Sequence, residues 1–199
     1  MTVNGDIEKK ALIKHAAREL FFRFGFNKTA MSDIAQQSGM AKPTLYYYYP
    51  SKETIFDEIV VEEATGFINQ VEKKMPRDLQ ADEKLAFFFR TMYQDLKVYA
   101  RKMADMPKYL CEHSPHGHPI VEKLNLLFME KLIPLLREGR MQGRFDFEDE
   151  PTMAATLVYM SEFLNFDWMQ HYPETMRDRV VETMISVILN GLKRSRNVE

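Results

Sequence analysis

Residues 29–53 read TAMSDIAQQSGMAKPTLYYYYPSKE and contain the signals for short helices separated by a tight turn. Thr29 is of the residue type that caps helix N-termini, which predicts a short helix over residues 30–38. Gly39 follows at the point where the chain needs a backbone conformation that favours glycine. Ala35 is small enough to let a neighbouring helix approach closely. The segment therefore predicts one short helix followed by an abrupt turn.

Proline residues mark both ends of the next predicted helix. It begins near Ala41 and carries Pro43 in its first turn, where a missing N–H costs little. Pro50 ends it, and Ser51 then caps a long helix predicted over residues 52–74. Two short helices and a glycine turn, followed by a long helix, have the arrangement of a helix-turn-helix.

The tyrosine-rich helix has an inward and an outward side. The residues that can share a small core are Ile34, Met40, Leu45 and Tyr49. The residues left mostly outward are Lys42, Thr44, Tyr46, Tyr47 and Tyr48. Four consecutive tyrosines cannot all be buried on one helix, and exposed hydroxyl and ammonium groups can bind phosphates. A nucleic-acid surface and a tyrosine-rich packing face are both compatible with this pattern.

The charge is divided unevenly along the chain. The whole chain has 27 basic and 29 acidic residues, a net charge of −2. Residues 1–52 carry eight basic and four acidic side chains, net +4, and the remainder carries 19 and 25, net −6. No acidic residue occurs from Ile34 to Lys52. A basic segment of this kind favours a polyanionic partner, although the whole-chain sum does not.

Composition limits the class of protein. With 45 % hydrophobic residues the chain can bury a core, and no stretch approaches the roughly 18 apolar residues that span a membrane. The polar N-terminus lacks the apolar region of a signal peptide. Cys111 is the single cysteine, which excludes an internal disulfide. We therefore expect a cytoplasmic protein that has no membrane partner.

Helical patterns continue on both sides of this segment. The stripe Ile13, Ala17, Leu20 and Phe24, widened by Ala16 and Phe21, predicts an amphipathic helix over residues 7–24. Further helices are predicted over residues 81–103, 105–112, 120–141, 151–170 and 174–194, with Pro134 as a kink. Because no strand pattern is found, the predicted fold is all-α.

Residues 13–59 resemble the DNA-binding domain of the TetR family of repressors. The matching positions are Ala17, Leu20, Phe21, Gly25, Phe26, Thr29, Ile34, Ala35, Gly39, Leu45, Tyr46, Tyr47, Ser51, Lys52 and Glu53. The resemblance implies a three-helix DNA-binding domain at residues 1–51. It implies a ligand-binding and dimerisation domain at residues 52–199, with residues 52–74 as the connecting helix.

The resemblance also assigns residues to double-stranded operator DNA. Those expected in or beside the major groove are Lys42, Pro43, Thr44, Tyr46, Tyr47 and Tyr48. Lys52 would reach a phosphate, and Thr29 and Ser32 would contact the backbone. The family often has a second threonine at Ala30, and commonly a histidine and a phenylalanine at Tyr48 and Tyr49. In this chain the hydroxyl of Tyr49 needs a partner inside the core.

The second domain is rich in methionine and aromatic residues, which can line an adaptable apolar cavity or simply fill a core. The resemblance implies a small-molecule effector there, and the apolar side chains favour an apolar or aromatic one. The predicted ligand contacts are Phe88, Met92, Tyr93, Tyr109, Phe128 and Phe163. The last two helices are apolar on more than one side, and the resemblance implies a homodimer through them. The predicted interface residues are Leu157, Met160, Leu164, Val181, Met184, Ile185 and Ile188.

The main hypothesis is a ligand-responsive regulator, a repressor released from a palindromic operator. The alternative is an all-helical metal- or small-molecule-binding protein that senses through Cys111, His113, His116 and His118. Because two prolines and a glycine place these residues in a loop, the default interpretation is solvated histidines and no metal site. No nucleophile motif, phosphate-binding glycine loop or dinucleotide fingerprint occurs, so we expect neither an enzyme nor a cofactor.

Overall fold

The computed structural model describes residues 3–102, 119–161 and 172–193, which form eight helices. The helices are α1 (Val3–Phe24), α2 (Met31–Gln37), α3 (Lys42–Tyr48), α4 (Lys52–Lys74), α5 (Ala81–Lys102), α6 (Pro119–Met141), α7 (Glu150–Ser161) and α8 (Glu174–Leu192). This confirms the all-α prediction. The helix predicted over residues 105–112 lies outside the described residues. In the described ranges no helix is both long and apolar enough to cross a membrane.

The chain divides into two units by its internal contacts. The first comprises Met1–Ala64 and Ala100–Ile120, and the second comprises Thr65–Tyr99 and Val121–Glu199. The division falls inside α4, so this helix contributes residues to both units. The functional boundary after residue 51 stays a prediction.

Aromatic rings form the centre of the first unit. Phe21, Phe26 and Phe56 come from α1, the following turn and α4, with ring centroids 4.9–5.8 Å apart. Ile13 and Ala17 of the predicted stripe are fully buried, and Phe21 is 6 % exposed. Offset and edge-on packing of rings adds to the stabilisation that burial provides. This cluster fixes α1 against the start of α4.

The end of α1 departs from the predicted stripe. Phe24 is 47 % exposed although it falls on the apolar periodicity of α1. The helix ends at Phe24, and Gly25 follows with φ of 85°, so the chain turns away before a neighbour can cover the ring. Phe26, beyond the glycine, takes the buried position at 4 % exposed.

Polar contacts join the helices of the second unit. Lys84 on α5 pairs with Glu138 on α6 at 2.7 Å. Arg90 on α5 donates to both carboxylate oxygens of Glu182 on α8, at 2.7–3.0 Å. On α5 and α6, Leu85, Phe88, Leu132 and Leu136 are buried. The second unit therefore has its own core, and α5 is attached to both α6 and α8.

The turn after α6 is closed by a ring packed on a glycine. Gly143 has φ of 67°, and the N–H groups of Arg144 and Phe145 both donate to the carbonyl oxygen of Gly139. Phe145 is 4 % exposed and bridges to Lys193 just beyond α8. The turn thus connects the end of α6 to the end of α8.

Candidate DNA-binding interface

The turn between α2 and α3 depends on one glycine. Gly39 has φ of 68°, a conformation that side chains rarely adopt. The N–H of Gly39 donates to Gln36 and that of Met40 to Ala35, at 3.2 and 2.9 Å. Ile34 and Ala35 are buried on the inner side of α2. The predicted helix–turn–helix geometry is therefore present in residues 31–48.

The start of α2 differs from the prediction. Ala30 is the N-cap, and its N–H donates to Oδ2 of Asp33 at 2.9 Å. Thr29, the predicted N-cap, is 3 % exposed and its hydroxyl donates to the carbonyl oxygen of Gly25 at 2.9 Å. The N-cap prediction was wrong because that hydroxyl is used to close the turn after α1. A buried hydroxyl also gives no support to the predicted contact of Thr29 with the DNA backbone.

One side of α3 is buried and the other is exposed. Leu45 is fully buried and Tyr49, the C-cap residue, is 2 % exposed. Tyr46 and Tyr47 are 52 % and 70 % exposed. Of the other predicted groove residues, Lys42 and Pro43 are exposed and Thr44 is half-buried. Hydroxyl, ammonium and apolar groups are thus presented together on one accessible face of a short helix.

Tyr48 differs from its neighbours because its hydroxyl is bonded to α1. The hydroxyl donates to Oδ1 of Asp6 at 2.7 Å, and this bond raises the pKa of Tyr48 to about 12. Lys9 lies 5.9 Å from the centroid of the Tyr48 ring. Tyr47 packs edge-on against the same ring at 5.1 Å and 86°. Tyr48 is therefore attached to α1, and its predicted contact with DNA stays a prediction.

Tyr49 places its hydroxyl on α4. It donates to Oε2 of Glu58 at 2.7 Å, and Lys10 lies 5.1 Å from the ring centroid. Burial, followed by this bond to Glu58, raises the pKa of the Tyr49 phenol. Burial would raise the pKa of Glu58, but the bond from Tyr49 and the charges of Lys10 and Lys14 outweigh it and lower that pKa. The phenol stays protonated and the carboxylate stays ionised across the neutral range.

Lys52 closes the turn between α1 and α2. Its ammonium donates to the carbonyl oxygens of Phe26 and Thr29, at 2.9 and 3.0 Å, and lies 4.4 Å from the Phe26 ring centroid. An ammonium has three donors, so one N–H is left to reach a phosphate. The predicted phosphate contact of Lys52 is compatible with this geometry and stays a prediction. Ser32, predicted to contact the backbone, is half-buried in the first turn of α2.

A row of ion pairs joins α1 to α4 within the first unit. Lys10 and Lys14 lie 3.4 and 3.5 Å from Glu58, and Lys14 also pairs with Glu62. Arg18 pairs with Glu63 at 3.0 Å and with Glu62 at 3.5 Å. Exposed pairs are individually weak, but successive pairs on two facing helices fix their register. Glu58 contacts both α1 and the end of α3, so it connects three helices.

Asp6 and Glu58 were not among the predicted site residues. Each accepts a hydrogen bond from a tyrosine hydroxyl at 2.7 Å. These tyrosines, Tyr48 and Tyr49, are the positions that depart from the usual residues of the resembling family. The departure itself was the available signal, because a hydroxyl introduced beside a core needs an acceptor.

The predicted ligand residues have mixed environments. Phe88 is 2 % exposed, and Tyr93 is 5 % exposed with its hydroxyl donating to Asp178 at 3.0 Å. Met92 and Phe128 are half-buried. Tyr109 and Phe163 lie outside the described residues. The Tyr93 hydroxyl is already hydrogen-bonded to Asp178 of α8. The ligand assignment stays a prediction.

Most of the predicted dimer residues are covered within their own chain. At most 7 % of each side chain is exposed for Leu157, Val181, Met184, Ile185 and Ile188. Met160 is 39 % exposed, and Leu164 lies outside the described residues. Buried side chains offer little surface to a partner subunit. The apolar residues on these helices that do offer surface are Tyr159, Met160, Met176 and Val187.

The residues of the alternative metal site, Cys111, His113, His116 and His118, lie outside the described residues. Within the ranges that are described, no group of three or more histidine, cysteine or acidic residues could hold a metal ion.

Comparison with known proteins agrees with this geometry. Residues 13–59 match the family model described as bacterial regulatory proteins, tetR family. The transcriptional regulator YhgD of Bacillus subtilis is 22 % identical over 94 % of this chain and 97 % of its own. The transcriptional repressor KstR2 of Rhodococcus jostii is 23 % identical over 98 % of this chain and 96 % of its own.

A solved structure supports the fold over nearly the whole length. Thermus thermophilus FadR, a TetR-family transcriptional repressor in complex with lauroyl-CoA, superposes with a TM-score of 0.74 at 22 % identity. The alignment covers 96 % of this chain and 98 % of FadR. The family-model match over residues 13–59, together with these relatives and this structure, supports a transcriptional regulator of the TetR family.

Proposed function

We propose that the chain is a dimeric repressor that binds a partly palindromic operator and is released by a small apolar ligand. The exposed face of α3 carries this proposal. Lys42, Tyr46 and Tyr47 are accessible there, whereas Leu45 and Tyr49 fix the opposite face in the core. The face lies within the segment whose net charge is +4, which favours a polyanion.

The chemistry of each side chain on this side of α3 suits a contact with DNA. The Lys42 ammonium can donate to a phosphate or to guanine acceptors, and the Thr44 methyl or hydroxyl can contact a base edge. The hydroxyls of Tyr46 and Tyr47 can donate to phosphates. Together these groups suit a recognition helix whose affinity comes mainly from the backbone, with few residues reading bases.

Two copies of α3 are needed to read a palindrome. Recognition helices of a dimer address successive major grooves about 34–36 Å apart. We assign the dimer surface to exposed apolar residues of α7 and α8, namely Tyr159, Met160, Met176 and Val187, which are 39–61 % exposed. An exposed apolar surface of this kind is typical of subunit contacts.

We place DNA binding in residues 1–51, and ligand binding and dimerisation in residues 52–199. A ligand releases DNA if it binds more tightly to the dimer whose recognition helices are wrongly spaced. Because α4 contributes to both units, it is the element through which ligand binding would act on the first unit.

An apolar effector is supported by the side chains predicted to bind it and by one relative. Phe88, Met92 and Phe128 would offer apolar contacts, and the FadR structure is a complex with lauroyl-CoA, whose acyl chain is apolar. Lauroyl-CoA is therefore a suitable first probe. It should displace a bound duplex while coenzyme A alone should not. Equal displacement by both compounds would contradict recognition of an apolar chain.

Selection from a pool of random duplexes tests DNA binding directly. The wild-type protein should enrich an inverted repeat, and Lys42→Ala or Tyr46→Ala should bind that duplex more weakly. Lys73→Ala, an exposed lysine near the end of α4, is the matched control and should bind as wild type. Failure of the wild-type protein to enrich any duplex would contradict the proposed function.

A further inference from the structure

The first turns of α1 hold one tyrosine of the recognition helix. Asp6 Oδ1 accepts the hydroxyl of Tyr48 at 2.7 Å, and Lys9, one turn further along α1, lies 5.9 Å from the Tyr48 ring centroid. A carboxylate is a strong acceptor for a phenol, and the cation favours the ring face. The Tyr48 ring is therefore restrained at its hydroxyl and beside its face.

The restrained ring contacts the most exposed tyrosine of α3. Tyr47 is 70 % exposed and packs edge-on against Tyr48, at 5.1 Å and 86°. An exposed aromatic side chain on a helix surface otherwise samples several rotamers, and ordering it on binding costs free energy. An edge-on contact with a fixed ring selects one of those rotamers in advance.

We propose that Asp6 and Tyr48 are positioning residues that pre-orient the Tyr47 ring for DNA. Asp6 holds Tyr48, Tyr48 holds Tyr47, and Tyr47 makes the contact. This inference rests on the proposed DNA binding of α3 and adds α1 to the recognition surface. It replaces direct contact of Tyr48 with DNA by an indirect role, since the Tyr48 hydroxyl is already donated to Asp6.

Charge repulsion and positioning predict opposite effects on DNA affinity when Asp6 is removed, so a binding measurement separates them. A carboxylate near DNA repels phosphates, so its removal should tighten binding if charge alone mattered. Under the positioning proposal, Asp6→Ala weakens binding about fivefold, the equivalent of one ordinary hydrogen bond. Glu8→Ala removes the same charge from an exposed position on the same helix, and should bind as wild type or more tightly.

The conservative variants separate positioning from a direct phosphate contact. Asp6→Asn keeps an acceptor for the Tyr48 hydroxyl and removes the charge, so it should bind as wild type or more tightly. Tyr48→Phe should weaken binding by about the same fivefold, and Asp6→Ala/Tyr48→Phe should weaken it no further. In a Tyr47→Ala background, Asp6→Ala should have no effect, because the ring that it orients is gone.

The measurement is fluorescence anisotropy with the duplex that the wild-type protein enriches, with thermal unfolding of each variant alongside. Asp6→Ala binding as tightly as Glu8→Ala would overturn the proposal. An unchanged effect of Asp6→Ala in the Tyr47→Ala background would overturn it too. Failure of the wild-type protein to bind any duplex would instead contradict the proposed function, so the two failures are distinguishable.

Discussion

The hydroxyl of Tyr49 donates a 2.7 Å hydrogen bond to Oε2 of Glu58, so the C-cap of α3 is bonded to α4. The same carboxylate lies 3.4 and 3.5 Å from Lys10 and Lys14 of α1. The C-terminal end of α3 is therefore attached to α4 and, through Glu58, to α1.

Removing this hydroxyl should destabilise the first unit without changing its fold. Tyr49→Phe keeps the buried ring and deletes the donor, so we expect about 1 kcal/mol less free energy of unfolding. Tyr47→Phe deletes a hydroxyl from a ring that is 70 % exposed, and should have almost no effect on stability. Denaturant unfolding of the three proteins measures the difference. Equal stability of Tyr49→Phe and wild type would show that the bond to Glu58 contributes nothing.

Lys42 and Lys52 should differ in their contributions to the stability of the fold. Lys52 holds two carbonyl oxygens of the turn after α1, so Lys52→Ala should lower the free energy of unfolding by about 1–2 kcal/mol. Lys42 is exposed, and Lys42→Ala should leave stability unchanged. If each lysine also contacts one phosphate, each variant should reduce the slope of log affinity against log salt by about one.

Thermal unfolding and salt-dependent duplex binding separate these contributions. An unchanged salt slope for Lys52→Ala would restrict Lys52 to closing the turn. An unchanged melting temperature for Lys52→Ala would contradict a stabilising role of its carbonyl contacts.

Capping residues and prolines predicted those helix boundaries that depend only on neighbouring residues. The helix expected over residues 52–74 is observed as Lys52–Lys74, because Ser51 precedes it and Pro76 follows it closely. The alternation of buried Leu45 and Tyr49 with exposed Tyr46 and Tyr47 follows from helical periodicity alone.

Contacts between residues distant in the sequence could not be predicted in this way. Tyr48 is bonded to a residue 42 positions earlier, and Lys52 to carbonyls 26 and 23 positions earlier. Periodicity indicates which face of a helix is buried, but it does not identify the partner of a polar tip. The Thr29 hydroxyl was assigned to the helix start for the same reason, since its acceptor lies on the preceding turn.

Gly139 in the last turn of α6 should tolerate no side chain. A Cβ there would overlap Cδ2 of Phe145, whose ring is buried. We expect Gly139→Ala to lower the free energy of unfolding by about 2 kcal/mol, because the ring must move out of the core. Gly66→Ala is the matched control: nothing lies within 4 Å of its Cβ position, and alanine favours the helical conformation. It should be neutral or stabilising by up to about 1 kcal/mol.

Denaturant unfolding of both glycine variants checks this contrast. Similar effects of the two substitutions would mean that the Phe145 ring does not require glycine at residue 139.

Acid should weaken the ion pair between α5 and the turn after α6. Arg144 lies 2.5 Å from Oδ1 of Asp82, and its hydrogen bond to the carboxylate lowers the pKa of Asp82 below the ordinary 3.8. A group whose pKa is lowered by folding stabilises the fold above its unfolded pKa, and that stabilisation is lost as pH falls through the folded pKa. The stability advantage of wild type over Asp82→Asn should therefore be constant near neutral pH and shrink below about pH 4.

Melting temperatures of wild type and Asp82→Asn between pH 7 and pH 3 test this expectation. In an Arg144→Gln background the advantage should be smaller at every pH, because the guanidinium that lowers the Asp82 pKa is absent. A gap that widens as the pH falls would contradict the assigned ion pair.

Dimerisation should depend on the exposed apolar residues of α7 and α8. Met160 and Val187 are 39 % and 59 % exposed, and a charge at either position would be desolvated in a subunit contact. We expect the wild-type protein to sediment as a dimer at micromolar concentration, and Met160→Glu and Val187→Glu to sediment as monomers. Leu126→Glu places the same charge on α6, at a residue 53 % exposed, and should remain dimeric.

The same variants connect dimerisation to DNA binding. A monomer can engage only one half-site, so Met160→Glu should lose preference for the inverted repeat over a single half-site, while Leu126→Glu should keep it. Each variant must retain the wild-type melting temperature at low protein concentration for the comparison to hold. A wild-type protein that sediments as a stable monomer would contradict any subunit contact. A Met160→Glu variant that stays dimeric would place the subunit contact elsewhere on the chain.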